Sequence, residues 1–274
     1  MNEHDLGHSM TRNRTTSTNG TIQSRDYMQV LARGLSIMEG FSGQNEYLTV
    51  AELSKVVDLP RATVRRCLLT LRALGYVETT SEKFFRLTPK VLVLARAYTS
   101  SSLLPRIAQP ILERLSETLK ESCTVWVLFG DEAIFVARST RKRKRSRLRD
   151  VGSNVPAYVS SMGRCLLAAL SERDLDAYLK KVDLRRHTPY SVVDPGKLRS
   201  IITKVREQEF CLVDQEFDLE LRAIAVPIRN SSGRIVAALS ATSEAGRTNK
   251  RELVTRFLPE LRAAANEIRS YLLG

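Results

Sequence analysis

Between Thr49 and Leu74 the chain leaves little choice of local structure. Thr49-Val50-Ala51-Glu52 has the form of a capping box, in which the threonine hydroxyl meets the Glu52 amide and the Glu52 carboxylate reaches back to the Thr49 amide. The helix it opens, roughly 50–57, turns Leu53, Val56 and Val57 inward. Asp58-Leu59-Pro60 breaks that helix, and a second periodic set, Val64, Cys67, Leu68, Leu71 and Leu74, follows at 3.6-residue spacing across 61–74. Gly75 stands where a helix usually stops. Two short helices joined by a tight turn form a helix-turn-helix.

The flanking sequence extends the motif. A helical rhythm from Asp26 carries Leu31, Leu35, Met38 and Phe41 and ends at Ser42-Gly43-Gln44-Asn45. Downstream, Tyr76-Val77-Glu78-Thr79 and Phe84-Phe85-Arg86-Leu87 flank a polar turn and predict a β-hairpin. Three helices and a hairpin make a winged helix-turn-helix, a form that reads DNA with its last helix. On the third helix, Arg65 and Arg66 point away from the apolar stripe, Arg61 and Thr63 lie in the first turn, and Thr70 follows one turn after Arg66. Arginine pairs bidentately with guanine, so Arg61, Thr63, Arg65, Arg66 and Thr70 are the candidate readers. Lys83 and Arg86 on the hairpin suit phosphate contacts. The formal net charge of +13 agrees with a double-stranded DNA partner, although it does not locate the contact.

Residues 1–25 are polar and predict a mobile tail; His4 and His8 within it lack the glutamate of a metal motif. Thr88-Pro89 predicts the start of a linker helix through Val91, Leu94 and Tyr98 that ends at Thr99-Ser100-Ser101-Ser102. From about 103 onward helical and strand patterns mix. Helices are expected near 105–121, 163–169, 171–181, 195–208 and 249–272, and strands at 123–129, 133–138, 223–228 and 235–242. Hairpin-length turns join those strands, which predicts an α/β domain with a mainly antiparallel sheet. The boundaries are therefore a tail at 1–25, a winged helix-turn-helix at 26–88, a linker helix at 89–102 and a second domain at 103–274, an α+β architecture overall.

The chain shows no G-x-S-x-G, P-loop or G-x-G-x-x-G motif and no spaced His/Cys set, so neither catalytic residues nor a metal or cofactor are expected. Cys67, Cys123, Cys165 and Cys211 lie far apart and read as buried thiols of a cytoplasmic protein. No apolar run reaches membrane-spanning length. Asp214, Glu216, Asp218 and Glu220 alternate at period two and read as a loop or strand edge beside a pocket; His187 reads as solvated. Residues 141–149 hold seven cations and read as a solvated loop or strand edge; a direct nucleic-acid patch or localisation-type signal and an interface with an acidic surface of another subunit are the other readings.

Asp26-Tyr27, Leu31-Ala32-Arg33-Gly34-Leu35, Pro60-Arg61-Ala62-Thr63-Val64-Arg65-Arg66-Cys67 and Leu74-Gly75-Tyr76-Val77 resemble the N-terminal domain of IclR-type transcriptional regulators. The segment Pro156-Ala157-Tyr158-Val159-Ser160-Ser161-Met162-Gly163-Arg164-Cys165, with Leu221-Arg222-Ala223-Ile224, is similar to the PcaR/PcaU/PobR branch, which controls aromatic-acid catabolism through the β-ketoadipate pathway. The resemblance implies a GAF-like effector-binding domain, a homodimer or tetramer, and a small carboxylate or aromatic-acid effector. It also implies a pocket formed by Ser161, Met162 and Gly163 on one side and Asp214, Leu221, Ala223, Ser240 and Thr242 on the other. Amides near Gly163 would suit a carboxylate, with hydroxyl donors from Ser161 and Ser240. Asn154-Val155, Glu220 and Ala223 depart from the branch's usual Arg-Leu, Gly and Ser. A small-acid-converting enzyme and a constitutive DNA-binding protein are the rival readings.

Overall fold

The computed structural model describes residues 26–41, 45–81, 83–139 and 152–272. The tail with His4 and His8 and the basic run 141–149 lie outside the described residues. The chain divides into two compact units, one ending at Ser101 and one beginning at Ser102.

In the first unit, α1 (Gln29–Glu39), α2 (Val50–Val56) and α3 (Arg61–Ala73) close over Ile37, Leu53, Val64, Leu68 and Leu71. The capping box is formed: the Thr49 hydroxyl accepts from the Glu52 amide at 3.2 Å, and the Thr49 amide donates to the Glu52 carboxylate at 2.7 Å. Those bonds hold the Glu52 carboxyl below its ordinary pKa, led by the Thr49 amide. The interhelical turn depends on Asp58, whose φ of 52° lies in the left-handed region that aspartate tolerates better than most residues. The Ser54 hydroxyl donates to the Leu59 carbonyl at 2.6 Å and pins the turn from inside. Gly75, at φ 78°, ends α3 in the same region, where a Cβ would be strained.

The hairpin strands are β2 (Val77–Thr79) and β3 (Phe84–Leu87), paired antiparallel. A two-residue strand that sequence patterning missed, β1 (Leu48–Thr49), pairs with Phe84 and Phe85 and makes the wing three-stranded. Two residues carry no readable period. Helix α4 (Val91–Ser101) ends within the Thr99–Ser102 stretch expected to end it. Thr99 and Ser100 return their hydroxyls to the Arg96 carbonyl, and Ser101 does the same to Tyr98, so these side chains follow the helix instead of capping it.

The second unit is built on one six-stranded, wholly antiparallel sheet, in the order β6 (Asn154–Pro156), β5 (Glu132–Arg138), β4 (Ser122–Phe129), β9 (Ile235–Glu244), β8 (Leu221–Arg229), β7 (Cys211–Asp214). One face carries Cys123, Val125, Ile224, Val226, Leu239 and Ala241 against α5 (Leu103–Leu119) and α10 (Leu258–Tyr271). The other carries Trp126, Ala225 and Ala238 against α6 (Ser161–Leu167), α7 (Glu172–Lys181) and α8 (Pro195–Gln208). The expected closing helix is interrupted: α9 (Lys250–Glu252) passes through a π-turn, Leu253–Phe257, before α10 begins. A local widening to i→i+5 bonding barely changes the apolar spacing, so periodicity could not expose it. Burial raises the thiols of Cys123, Cys165 and Cys211, the last to about 11, so all three stay protonated near neutral pH.

Candidate functional site

On α3, Val64, Leu68 and Leu71 are buried while Arg61, Arg65, Arg66 and Thr70 are exposed and Thr63 is half-buried. The Thr70 hydroxyl donates to the Arg66 carbonyl at 3.1 Å. Arg61, Arg65 and Arg66 form no hydrogen bond or ion pair with the described residues, so their guanidinium groups are available to an outside partner. Lys83, at the tip of the wing, is likewise exposed and without a partner among the described residues.

Arg86 differs from its expected role as a loose wing cation. Its guanidinium is bonded to Glu78 and to Glu46 (2.7 Å), donates to the Tyr47 hydroxyl at 2.8 Å and lies 5.3 Å from the Tyr47 ring centroid. Register explains this: Glu78 is the direct cross-strand partner of Arg86. The side chain fastens β2, β3 and the segment before β1, and its charge is answered within the domain.

In the second unit the candidate ligand residues divide by sheet face. Ala223 pairs with Thr242, and Ser240 pairs with Thr124, so Leu221, Ala223, Ser240 and Thr242 share the face on which α6 packs. α6 packs on that face and sets Met162 in the cluster that holds Trp126, Ala225 and Ala238. Asp214 pairs with Arg222 and therefore points to the opposite face. There its carboxylate meets Arg222 and, at 2.9 Å, Lys250, while Arg222 also donates to the Ala245 and Thr248 carbonyls at 2.7 Å. Burial acts to raise the Asp214 pKa, but the hydrogen bonds from Lys250 and Arg222 outweigh it and hold the group below its usual value. Asp214 is thus a clamp on the α9 side of the sheet, on the face opposite Leu221, Ala223, Ser240 and Thr242. A depressed folded-state pKa stabilises the fold above the unfolded value and loses that contribution as pH falls through the folded one. Asp214→Asn should flatten the acid limb of a stability–pH curve measured by urea unfolding.

The Gly163 amide is also committed, donating to the Ser160 hydroxyl at 3.1 Å. The glycine is required for another reason: a Cβ there would stand 2.2 Å from the Ala157 carbonyl oxygen. Gly163→Ala should cost at least about 1–3 kcal/mol through forced overpacking, read as a lower urea midpoint.

Three residues of this face escaped sequence reasoning. Ser122 pairs with Thr242, and Trp126 Nε1 donates to the Thr124 hydroxyl at 2.7 Å and to the Ser240 hydroxyl at 3.1 Å. The Thr124 and Ser240 hydroxyls lie 2.9 Å apart. Beside them the Trp126 and Phe135 rings sit 5.2 Å apart at 59°. The alternation Ser122, Thr124, Trp126 in β4 was the signal that marked them. In α6, the fully buried Ser161 hydroxyl has no hydrogen-bond partner among the described residues.

Behind α6 lies a buried ion pair also absent from the sequence reading. Arg164 grips Glu216 bidentately at 2.8 and 2.6 Å and donates to the Tyr158 carbonyl at 2.8 Å. Burial works against the Arg164 charge, yet the bonds and charge of Glu216 prevail and raise its pKa. Glu216 also accepts from the Val192 amide at 3.1 Å, and Tyr158 bonds the Arg185 backbone and His187 at 2.9 and 3.0 Å, so segment 185–192 is tied to α6. His187, expected to be merely solvated, has this Tyr158 contact and lies 5.1 Å from the Phe217 ring. The four alternating acids do not form one edge: Asp214 and Glu216 serve opposite sides, Asp218 accepts from the Glu220 amide at 3.0 Å, and Glu220 is exposed. Among the described residues no group of three or more His, Cys, Asp or Glu is placed to hold a metal ion, and no helix is long and apolar enough to cross a membrane.

Comparison with known proteins decides the family. Residues 30–81 match the IclR helix-turn-helix domain, and residues 96–270 match the domain described as bacterial transcriptional regulator IclR C-terminal. The chain belongs to the IclR family. Among IclR relatives, the Pca regulon regulatory protein of Pseudomonas putida is 44% identical over 250 residues, covering 91% of this chain and 86% of that one. A transcriptional regulator of Rhodococcus sp. RHA1, RHA06195, superposes with a TM-score of 0.77 at 41% identity, covering 90% of this chain and 98% of that one. An IclR homologue of Microbacterium hydrocarbonoxydans, solved in complex with 4-hydroxybenzoate, has a TM-score of 0.74 at 27% identity, covering 89% and 98%. As an IclR member the chain is a DNA-binding transcriptional regulator.

Proposed function

We propose that this IclR protein controls genes of aromatic-acid catabolism, reading operator DNA through α3 and sensing a small aromatic or dicarboxylic acid between α6 and the sheet. The observation that carries the sensing half is the Ser161 hydroxyl, buried and unpartnered among the described residues, on the helix that packs over the face where Thr124, Trp126 and Ser240 form a polar cluster. A buried hydroxyl without a partner costs free energy that a ligand oxygen recovers. Trp126 and Phe135 give an aromatic ring a surface to pack against. The 4-hydroxybenzoate complex of the Microbacterium homologue and the Pca relationship favour a single-ring hydroxy acid or its ring-opened product. Ser161, Met162, Gly163, Leu221, Ala223, Ser240 and Thr242 remain the proposed wall, with Thr124 and Trp126 added and Asp214 removed.

Isothermal titration with 4-hydroxybenzoate, protocatechuate and 3-oxoadipate tests this reading. One of them should bind, and Ser161→Ala with Ser240→Ala should weaken it by roughly tenfold, about the strength of one or two hydrogen bonds. No heat from any acid would leave the constitutive DNA binder as the better account. Turnover of an acid by purified protein would favour the enzyme; we assign none of these residues a catalytic step.

On the DNA side, Arg61, Thr63, Arg65, Arg66 and Thr70 are the proposed groove contacts and Lys83 the proposed phosphate contact, all working in the cytoplasm. Exposed apolar residues on α1 (Met28 just before it, then Val30, Leu31, Leu35) and α4 (Leu92, Val93, Leu94, Tyr98) favour a homodimer, which would set two α3 helices about one DNA turn apart. Leu31→Arg with Leu94→Arg should shift the sedimenting species to monomer.

A further inference from the structure

A cavity lies at the C-terminal end of α6. Its volume is about 280 Å³, and Cys165, Ala168, Ala169, Val205, Pro227 and Ile235 give it an apolar floor. The opening follows from strand lengths. β7 has four residues and pairs with β8 no further than Cys211 opposite Ala225, whereas β8 runs on through Pro227 to Arg229. Proline suits this stretch, because no neighbour on that side calls for its amide. The chain enters β7 through Glu209 in a left-handed conformation at φ 56°, and the gap between that turn, β8 and α6 is left unfilled.

The rim is strongly cationic. Arg206, Arg229 and Arg234 line the cavity with one acid, Glu209. Two of the arginines have structural duties. Arg206 donates to the Ala168 and Leu170 carbonyls at 3.0 and 2.7 Å and pairs with Glu172. Arg229 bonds the Gly233 carbonyl at 2.7 Å and Glu209 at 2.6 Å. Arg234, on the β8–β9 turn, is exposed and forms no side-chain hydrogen bond or ion pair with the described residues. An apolar floor under a partly unanswered cationic rim fits a ligand with one flat apolar part and one carboxylate. The volume, just below the roughly 300–1,000 Å³ of small-molecule sites, limits it to a single ring or a short chain.

We infer that the cavity beneath the C-terminal end of α6 is a second acid-binding site, which takes the ring of a small aromatic carboxylate against Ala168, Ala169, Val205 and Pro227 and its carboxylate on Arg234. The site is separate from the proposed effector face, because its floor is made by the far end of α6 and the opposite ends of β8 and β9. Cys165 lies in its floor and bonds the Ala225 carbonyl at 3.4 Å, so a ligand here bears on the helix that also carries Ser161. Any coupling between the two sites is reciprocal in affinity.

Arginine modification reads the site directly. Full-length protein is treated with phenylglyoxal in sodium benzoate or in sodium chloride of equal ionic strength, and modification of Arg234 is followed by peptide mass spectrometry. Benzoate should slow Arg234 modification at least fivefold, saturably, in the wild type and equally in Ala223→Trp, which obstructs the effector face. Ala169→Trp, a change at an exposed position over the mouth, should abolish the protection. Equal Arg234 reactivity in benzoate and chloride would overturn the proposal. So would protection that persists in Ala169→Trp or disappears in Ala223→Trp.

Discussion

Arg65→Ala and Arg66→Ala should each lower affinity for the specific operator by roughly tenfold or more while leaving binding to random DNA nearly unchanged. A bidentate arginine–guanine pair discriminates by about 1–3 kcal/mol, and about 1.4 kcal/mol is tenfold. Both side chains are exposed and unengaged by the described residues, so neither change should disturb the fold. Lys83→Ala should behave differently, weakening all sequences alike and reducing the salt dependence by about one counterion. Fluorescence anisotropy on operator and scrambled duplexes at several salt concentrations separates the two patterns. An equal loss on both duplexes for the Arg65 and Arg66 variants would move these residues from base edges to phosphates.

Glu216→Ala should be the most destabilising of the charge deletions. It leaves the Arg164 guanidinium, 1% exposed, without its bidentate partner and frees the Val192 amide. Removing one member of such a buried pair costs about 3–5 kcal/mol, because the other charge stays buried and uncompensated. In a unit of this size that lowers the unfolding midpoint by on the order of 10 °C. Glu216→Gln, which keeps an oxygen for Arg164, should lose less. Differential scanning calorimetry checks both, and a shift below about 2 °C for the alanine variant would mean that Arg164 finds another partner. Segment 185–192 is tied to α6 through the same residue, so faster amide exchange there should accompany the loss.

The sequence displayed most clearly whatever is local. The capping box at Thr49 and Glu52, the break at Asp58 and Pro60 and the stripe of α3 are set by neighbours three or four residues apart, and each formed where its residues call for it. The sheet of the second unit was legible as antiparallel from its short turns. What stayed hidden depends on pairing between distant segments. Which face Asp214 takes is fixed by its register opposite Arg222, and Arg86 is neutralised by a cross-strand glutamate and by Glu46, forty residues away. Arg164 and Glu216 are fifty-two residues apart and share no local pattern. Of the candidate ligand wall, Leu221, Ala223, Ser240 and Thr242 share one sheet face because alternation along β8 and β9 is itself local. The contribution of β4 required knowing that β4 and β9 are neighbours.

On the proposed function, α3 reads a defined DNA sequence under the control of a small acid bound in the second domain. The most direct measurement is a footprint of the full-length protein on duplexes selected by it from a random pool, taken with and without protocatechuate and 4-hydroxybenzoate. A protected site that Arg66→Ala loses, and whose extent or half-saturation changes at least fivefold with one acid in the wild type but not in Ser161→Ala with Ser240→Ala, is the predicted result. A footprint that survives Arg66→Ala, or that is identical with and without every acid, would contradict the account.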